Sequence, residues 1–149
     1  MSTALQTGHV GLNVSNLDAS KLFYQAVFGF VVTWESQEPG RRSANLGDGQ
    51  RAFLTLWEQS EGAFPKDRPG LHHLSFQVDS IDDVRVYQAR LKELQVNFLY
   101  DDVVPHGEGR DSGGIFFTDP DGIRLEIYSP SGAGENPAPT PSAPTCGFF

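Results

Sequence analysis

The feature that most constrains this chain is an internal repeat at an offset of 73 − 9 = 64 residues. Gly8-His9-Val10-Gly11-Leu12-Asn13-Val14 lies over His72-His73-Leu74-Ser75-Phe76-Gln77-Val78, and the register runs on without a gap, with Leu17-Asp18 on Ile81-Asp82, Phe23 on Tyr87, Val27 on Leu91 and Phe30 on Leu94. A chain that repeats on this scale builds one supersecondary unit twice. At 149 residues it has room for a compact domain of two small modules and not for two large domains.

Each copy opens with a strand and passes directly into a helix. Ala19, Leu22, Phe23, Ala26 and Val27 recur at helical spacing, and Ile81, Val84, Tyr87, Leu91 and Leu94 trace a similar stripe. Asp18 and Ser80 read as N-caps, Ser80 with Asp83 approximates a capping box, and Gly29 reads as a C-terminal stop. The helices are expected over about 18–28 and 80–94. Three strand-like runs follow each: 30–37, 42–47 and 51–58, then 97–104, 113–118 and 123–129. Gly47-Asp48-Gly49 and Asp119-Pro120-Asp121-Gly122 read as tight turns joining the last two strands of each copy. The class is therefore α+β, with strand, helix and three strands in each of two βαβββ modules, residues 8–59 and 71–130, inside one domain over 1–130. Ser60–Gly70, with its glycine and prolines, reads as the linker. Residues 131–149, rich in Pro, Gly, Ala and Ser, read as a mostly unfolded tail ending in Cys146-Gly147-Phe148-Phe149.

Strand parity selects the side chains that can meet, because alternate residues point to opposite faces. Val10, Leu12 and Val14 share the face a helix would cover, which leaves His9, Gly11 and Asn13 on the other. Leu74, Phe76 and Val78 oppose His73, Ser75 and Gln77 in the same way, and in the last strand Arg124, Glu126 and Tyr128 alternate with Ile123, Leu125 and Ile127. Two imidazoles and a carboxylate on separate strands suit a borderline divalent ion and leave coordination positions open. Each residue also has a plainer alternative: His9 as an exposed strand residue, His73 as a hydrogen-bonded core histidine, Glu126 as a partner of Arg124.

Composition narrows the partners. Eleven Lys and Arg against nineteen Asp and Glu give a net charge of −8, which repels nucleic acid and anionic lipid. No apolar run is long enough to span a bilayer, and Met-Ser-Thr-Ala at the N-terminus lacks the basic flank of a signal peptide, so a cytoplasmic location is expected. Cys146 is the single cysteine, so any metal must be held by histidine and carboxylate.

Taken together, Gly8-His9-Val10-Gly11-Leu12-Asn13-Val14, Phe23-Tyr24 through Phe28-Gly29-Phe30, His73-Leu74-Ser75-Phe76-Gln77-Val78, and Phe117-Thr118-Asp119-Pro120-Asp121-Gly122 leading to Leu125-Glu126 resemble the vicinal oxygen chelate superfamily. That superfamily includes glyoxalase I, fosfomycin-resistance proteins, bleomycin-resistance proteins and extradiol dioxygenases. The resemblance covers about residues 8–130. It implies paired modules whose strands form a curled eight-stranded mixed sheet cup with helices outside, and metal ligands at His9, His73 and Glu126. Glyoxalase I carries a fourth ligand, a glutamate in the last strand of the first module, where this chain has Thr55. Glu58 lies nearby, but odd spacing turns it to the other face.

The three-ligand set points first to an extradiol-type dioxygenase holding Fe(II) or Mn(II), with a glyoxalase-like isomerase or lyase using Zn(II) or Ni(II) as the close alternative. A metal-free binding protein like the bleomycin-resistance proteins is the alternative from another class. Candidate substrate contacts are Asn13, Thr55, Trp57, Gln77 and Arg110, and candidate catalytic groups are Tyr128 and His106. The last lies in the long polar loop Val104–Ser112 before the closing hairpin. His72, one residue out of parity with His73, reads as a structural histidine. The expected partners are a small-molecule substrate and, given an open cup and exposed first strand, a second copy of the chain.

Overall fold

A computed structural model describes residues 3–147. Phe148 and Phe149, the aromatic pair of the tail, lie outside the described residues. The elements run β1 (Val10–Val14), α1 (Leu17–Phe28), β2 (Val31–Ser36), β3 (Ser43–Gly47) and β4 (Ala52–Glu58), then β5 (Leu74–Gln77), α2 (Ile81–Glu93), β6 (Val104–Pro105), β7 (Gly113–Thr118) and β8 (Arg124–Ser129). The order is βαβββ twice. Hydrogen bonding groups the eight strands into two mixed four-stranded sheets, β1-β4-β3-β2 and β5-β8-β7-β6. In both, the first strand runs parallel to the last and the remaining neighbours are antiparallel. The chain divides into two compact units between Ala63 and Phe64, inside the stretch read as a linker.

In the first unit Leu12, Val14, Leu46, Leu54 and Leu56 form the buried face of the sheet, and α1 lays Leu17, Ser20, Tyr24 and Val27 on it. The expected stripe was rotated from this one, since Leu22 is 70% exposed and Ala19 and Ala26 face solvent. The helix is apolar on more than one side, so spacing alone does not decide which residues meet the sheet. The first cap also differs. Asn16 holds that place, its Oδ1 accepting from Ala19 N at 3.0 Å, while Asp18 pairs instead with Arg42 at 2.9 Å. Gly29 ends the helix as expected, at φ 70, a left-handed conformation that costs glycine no side-chain clash.

The second unit repeats this arrangement, with Val84, Gln88 and Leu91 of α2 buried and Ile115, Phe117, Leu125 and Ile127 forming the apolar face of the sheet. Ser80 caps α2 as read, accepting from Asp83 N at 3.2 Å. The run expected over 97–104 forms a strand only at Val104–Pro105, with a single bridge from Phe98 to Phe117. Asp102 breaks it. Its Oδ1 accepts from Val103 N at 2.7 Å and from Gln88 Nε2 at 2.9 Å, a local alternative to sheet pairing.

The segment after Pro130 departs from the expectation of a chain without packing partners. Ala133 and Thr145 are fully buried, Ala133 N donates to Asp111 O at 2.8 Å and Asn136 Nδ2 donates to Val103 O at 2.6 Å. A proline-rich backbone has little freedom to lose on docking, so a few well-placed polar groups suffice to hold it. Truncation after Pro130 is therefore expected to lower the melting temperature by roughly 5 °C or more, checked by calorimetry; an unchanged value would show that these contacts add nothing to stability.

Candidate metal and substrate site

The centre of the second sheet is where chemistry collects. Glu126 lies on β8 between Ser75 of β5 and Phe116 of β7, and its side chain is 3% exposed. A carboxylate so buried needs polar partners, and two imidazoles supply them. His73 Nε2 stands 3.6 Å from Glu126 Oε2, and His106 Nε2 is hydrogen-bonded to Oε1. The other nitrogen of His106, Nδ1, lies 2.9 Å from Ser112 Oγ, which fixes the ring from behind. Tyr128, two residues along β8, places its ring 5.0 Å from that of His106 and donates its hydroxyl to Gln77 Oε1 at 2.7 Å. Tyr128 pairs with Gly114, where an added Cβ would stand 1.9 Å from Ile127 O, so the close approach of β7 to β8 beside the site requires glycine.

His106 thus moves from a loop candidate to a direct partner of Glu126. His72 also changes place: its Nδ1 lies 2.8 Å from His73 Nδ1, with the rings nearly perpendicular. Both residues precede β5, so strand alternation does not yet separate their side chains. Burial is the main influence on His73 and lowers its proton affinity below the ordinary imidazole value, with the attraction of Glu126 opposing it.

In the first unit the corresponding face carries different chemistry. Gly11 pairs with Thr55 as Ser75 pairs with Glu126, so Thr55 is the repeat counterpart of the buried carboxylate. Its hydroxyl donates to Asn45 Oδ1 at 2.9 Å. Glu58 faces the helix, as parity required, and accepts from Leu17 N at 2.7 Å and Arg42 Nη1 at 3.0 Å. His9 is exposed and, with Trp34, Asn45, Ala52, Thr55 and Trp57, lines a cleft of about 490 Å³. Both tryptophans of the chain are in that cleft, 53% and 40% exposed. Asn13 turns away to the strand end, where its Oδ1 accepts from Gln59 N at 3.0 Å. Arg110 is exposed and borders a second cleft, of about 430 Å³, with His106 and Ser112.

Sequence reasoning missed Trp34, Asn45 and Ser112. Asn45 between Ala44 and Leu46 carried a period-two signal that was legible; Ser112 carried none, since a loop has no parity. Among the described residues no group of three or more His, Cys, Asp or Glu stands together as a ready metal cluster. His73 and Glu126 nonetheless fit as a ligand pair. Two donor atoms each about 2.1 Å from one divalent ion, at 90–110°, are roughly 3.0–3.4 Å apart, close to the observed 3.6 Å.

A model of the Glyoxalase/Bleomycin resistance protein/Dioxygenase superfamily matches residues 6–127. The chain belongs to that superfamily. It is 33% identical over 129 residues to the protein YaeR of Escherichia coli, covering 83% of this chain and 95% of that one. It is 27% identical to a catechol-2,3-dioxygenase of Bacillus subtilis, covering 82% of this chain and 40% of that protein's length. It is 30% identical to the metallothiol transferase FosB of Staphylococcus haemolyticus, covering 83% and 82%. Among solved structures, a glyoxylase/bleomycin resistance protein/dioxygenase domain from Frankia superposes with a TM-score of 0.71 at 27% identity, covering 85% of this chain and 98% of that one. The fosfomycin resistance protein FosX of Listeria monocytogenes, solved with Mn(II) and sulfate, shares the fold at a TM-score of 0.62 and 20% identity, covering 87% and 93%. No helix among the described residues is long and apolar enough to cross a membrane.

The lowered proton affinity of His73 gives a test with a definite sign. The unfolded chain takes up this proton near pH ~6.5 and the folded chain at lower pH, so the stability contributed by neutral His73 is present above ~6.5 and is lost on acidification through the folded value. An NMR titration of the His73 ring is expected to give a midpoint below 6.5, and a midpoint at or above it would contradict the burial described here.

Proposed function

We propose that this protein is a divalent-metal-dependent enzyme acting on a small molecule with two adjacent oxygens, and that its reaction is an extradiol-type dioxygenation. The observation that carries the reading is Glu126: a carboxylate sealed in the middle of a sheet whose two oxygens are addressed by two separate imidazoles. One imidazole, His73, is a ligand with Glu126. The other, His106, is an additional proton-exchanging group beside that pair. His9 holds in the first module the repeat position that His73 holds in the second, and on that repeat symmetry and the family resemblance it is proposed as a further ligand.

An N/O donor set of this kind takes Fe(II) or Mn(II) as first choice, and Zn(II) or Ni(II) otherwise. The ion, when bound, supplies Lewis-acid polarisation and a template for vicinal oxygens. The residues of the chain do the rest. His106, with Nδ1 held by Ser112, exchanges a proton at Nε2 with a substrate hydroxyl. Tyr128, its hydroxyl engaged by Gln77, packs on the His106 ring and keeps it in place. Thr55 in place of a fourth carboxylate would leave the ion with three protein ligands, a donor set that would favour chelation of a substrate through two oxygens. Among the described residues no Lys or Arg lines the cleft of Trp34 and Trp57, which favours an uncharged planar ring over a phosphonate. A homodimer completes the reading.

The test is an oxygen electrode with protein loaded anaerobically with Fe(II) and a panel of catechols. Oxygen uptake is expected in the parent and is expected to fall at least about a hundredfold in His9→Ala, His73→Ala and Glu126→Ala. Isomerisation of a thiol hemithioacetal with no oxygen uptake would replace this reaction by the glyoxalase-like one. Failure to retain any divalent ion would favour a metal-free binding protein.

Two further outcomes follow from Thr55 and the tryptophans. Thr55→Glu is expected to suppress oxygen uptake and tighten Zn(II) or Ni(II) binding in a competitive titration, and an unchanged metal preference would show that position 55 does not face the ion. Because both tryptophans line one cleft, a catechol is expected to quench intrinsic fluorescence in metal-free protein, and Trp57→Phe to weaken that binding by about 1 kcal/mol.

A further inference from the structure

We propose that the C-terminal segment, residues 133–147, is part of the site, and that Thr145 is the positioning residue for His106. The proposal rests on the reading above, in which His106 exchanges protons beside Glu126. His106 leaves a strand of two residues, Val104–Pro105, and begins a loop that contains Gly107 and Gly109. A sheet edge this short gives the loop little rigidity, and Pro105 has no N–H to add to it. The loop base is closed by His106 N donating to Ser112 O at 2.8 Å.

The remaining support comes from the C-terminal segment. Thr145 N donates to His106 O at 2.9 Å, and Thr145 Oγ1 donates to Pro105 O at 2.6 Å. One fully buried residue thereby holds two successive carbonyls, that of Pro105 through its side chain and that of His106 through its backbone N–H. Thr145 is held in turn by Tyr100, whose hydroxyl donates to Thr145 O at 3.1 Å. Asn136 on Val103 O and Ala133 on Asp111 O secure the start of the same segment.

The imidazole of His106 has to reach a carboxylate twenty residues away in sequence. A backbone displacement of about 1 Å is enough to lose such a contact and the rate that depends on it. Pro141–Pro144 also form one wall of the cleft of about 430 Å³ that His106, Arg110 and Ser112 line. The segment therefore sets both the position of the ring and the shape of the space beside it. The superfamily match ends at residue 127, before the segment begins.

The experiment compares the full-length parent with Thr145→Pro, which removes both donors, and Thr145→Ser, which keeps both. Four quantities are measured: amide hydrogen exchange over residues 103–112, the ring nitrogen shifts of His106, metal affinity, and kcat and KM. In Thr145→Pro, exchange over 103–112 is expected to quicken about tenfold or more while β7 and β8 stay within about twofold. The His106 Nε2 signal leaves its Glu126-bonded position and kcat falls about tenfold, with metal affinity within about threefold of the parent. Thr145→Ser restores all of these. Unchanged His106 signals in Thr145→Pro would overturn the proposal, as would an increase in exchange spread evenly over residues 64–147 with those signals in place. If His106→Ala leaves turnover intact, the proton-exchange role of His106 fails, while displaced His106 signals in Thr145→Pro still uphold the positioning by Thr145.

Discussion

The burial of one carboxylate in the middle of a sheet organises the second half of this molecule. Glu126 sits on β8, flanked by β5 and β7, where water cannot solvate it. A charge in that position is tolerated only with partners of good geometry, because its desolvation costs several kcal/mol. His73 and His106 are those partners, brought from the strand start before β5 and from the loop after β6. Each is supported by a further residue, His72 for one and Ser112 for the other. A network of this kind favours one arrangement of its members over nearby alternatives.

The two modules share a topology and a register, yet the equivalent positions of their sheets carry different chemistry. Thr55 and Glu126 occupy equivalent positions against Gly11 and Ser75, but the first is a neutral hydroxyl bonded to Asn45. With no charge to satisfy, the first module leaves its face open to Trp34, Trp57 and His9 around a cleft. Its own carboxylate, Glu58, sits on the opposite face and accepts from the backbone of α1, where the helix N-terminus favours an anion. The repeat has therefore divided its chemistry, with proton-exchanging groups in one copy and an aromatic cleft in the other.

Much of this was legible in the residues. Strand alternation separated Leu12 and Val14 from Gly11 and Asn13, and the burial along β1 follows that division. Gly29 and Ser80 announced a helix end and a helix start because their conformational and capping roles are local. The readings that failed involved choices that local sequence leaves open. The first helix is apolar on several sides, and the sheet chose Leu17 and Tyr24 over Leu22. Asn16 took the cap because Arg42 and Lys21 drew Asp18 away. The segment 131–147 shows no period, yet Thr145 and Asn136 find carbonyls that no pattern in their own neighbourhood announces.

What the sequence by itself determined is the repeat, the βαβββ order and the alternation that puts Ser75 and Glu126 on the face opposite Phe76 and Leu125 in the second sheet. These follow from period and offset, which are properties of the chain alone. Only the tertiary structure decided that His106 reaches Glu126, that His72 touches His73, and that Thr145 holds the backbone of His106. The physical reason is that loops and non-periodic segments carry no alternation to assign their side chains a direction, so their partners are set by where the rest of the fold leaves an unsatisfied carbonyl or a buried charge.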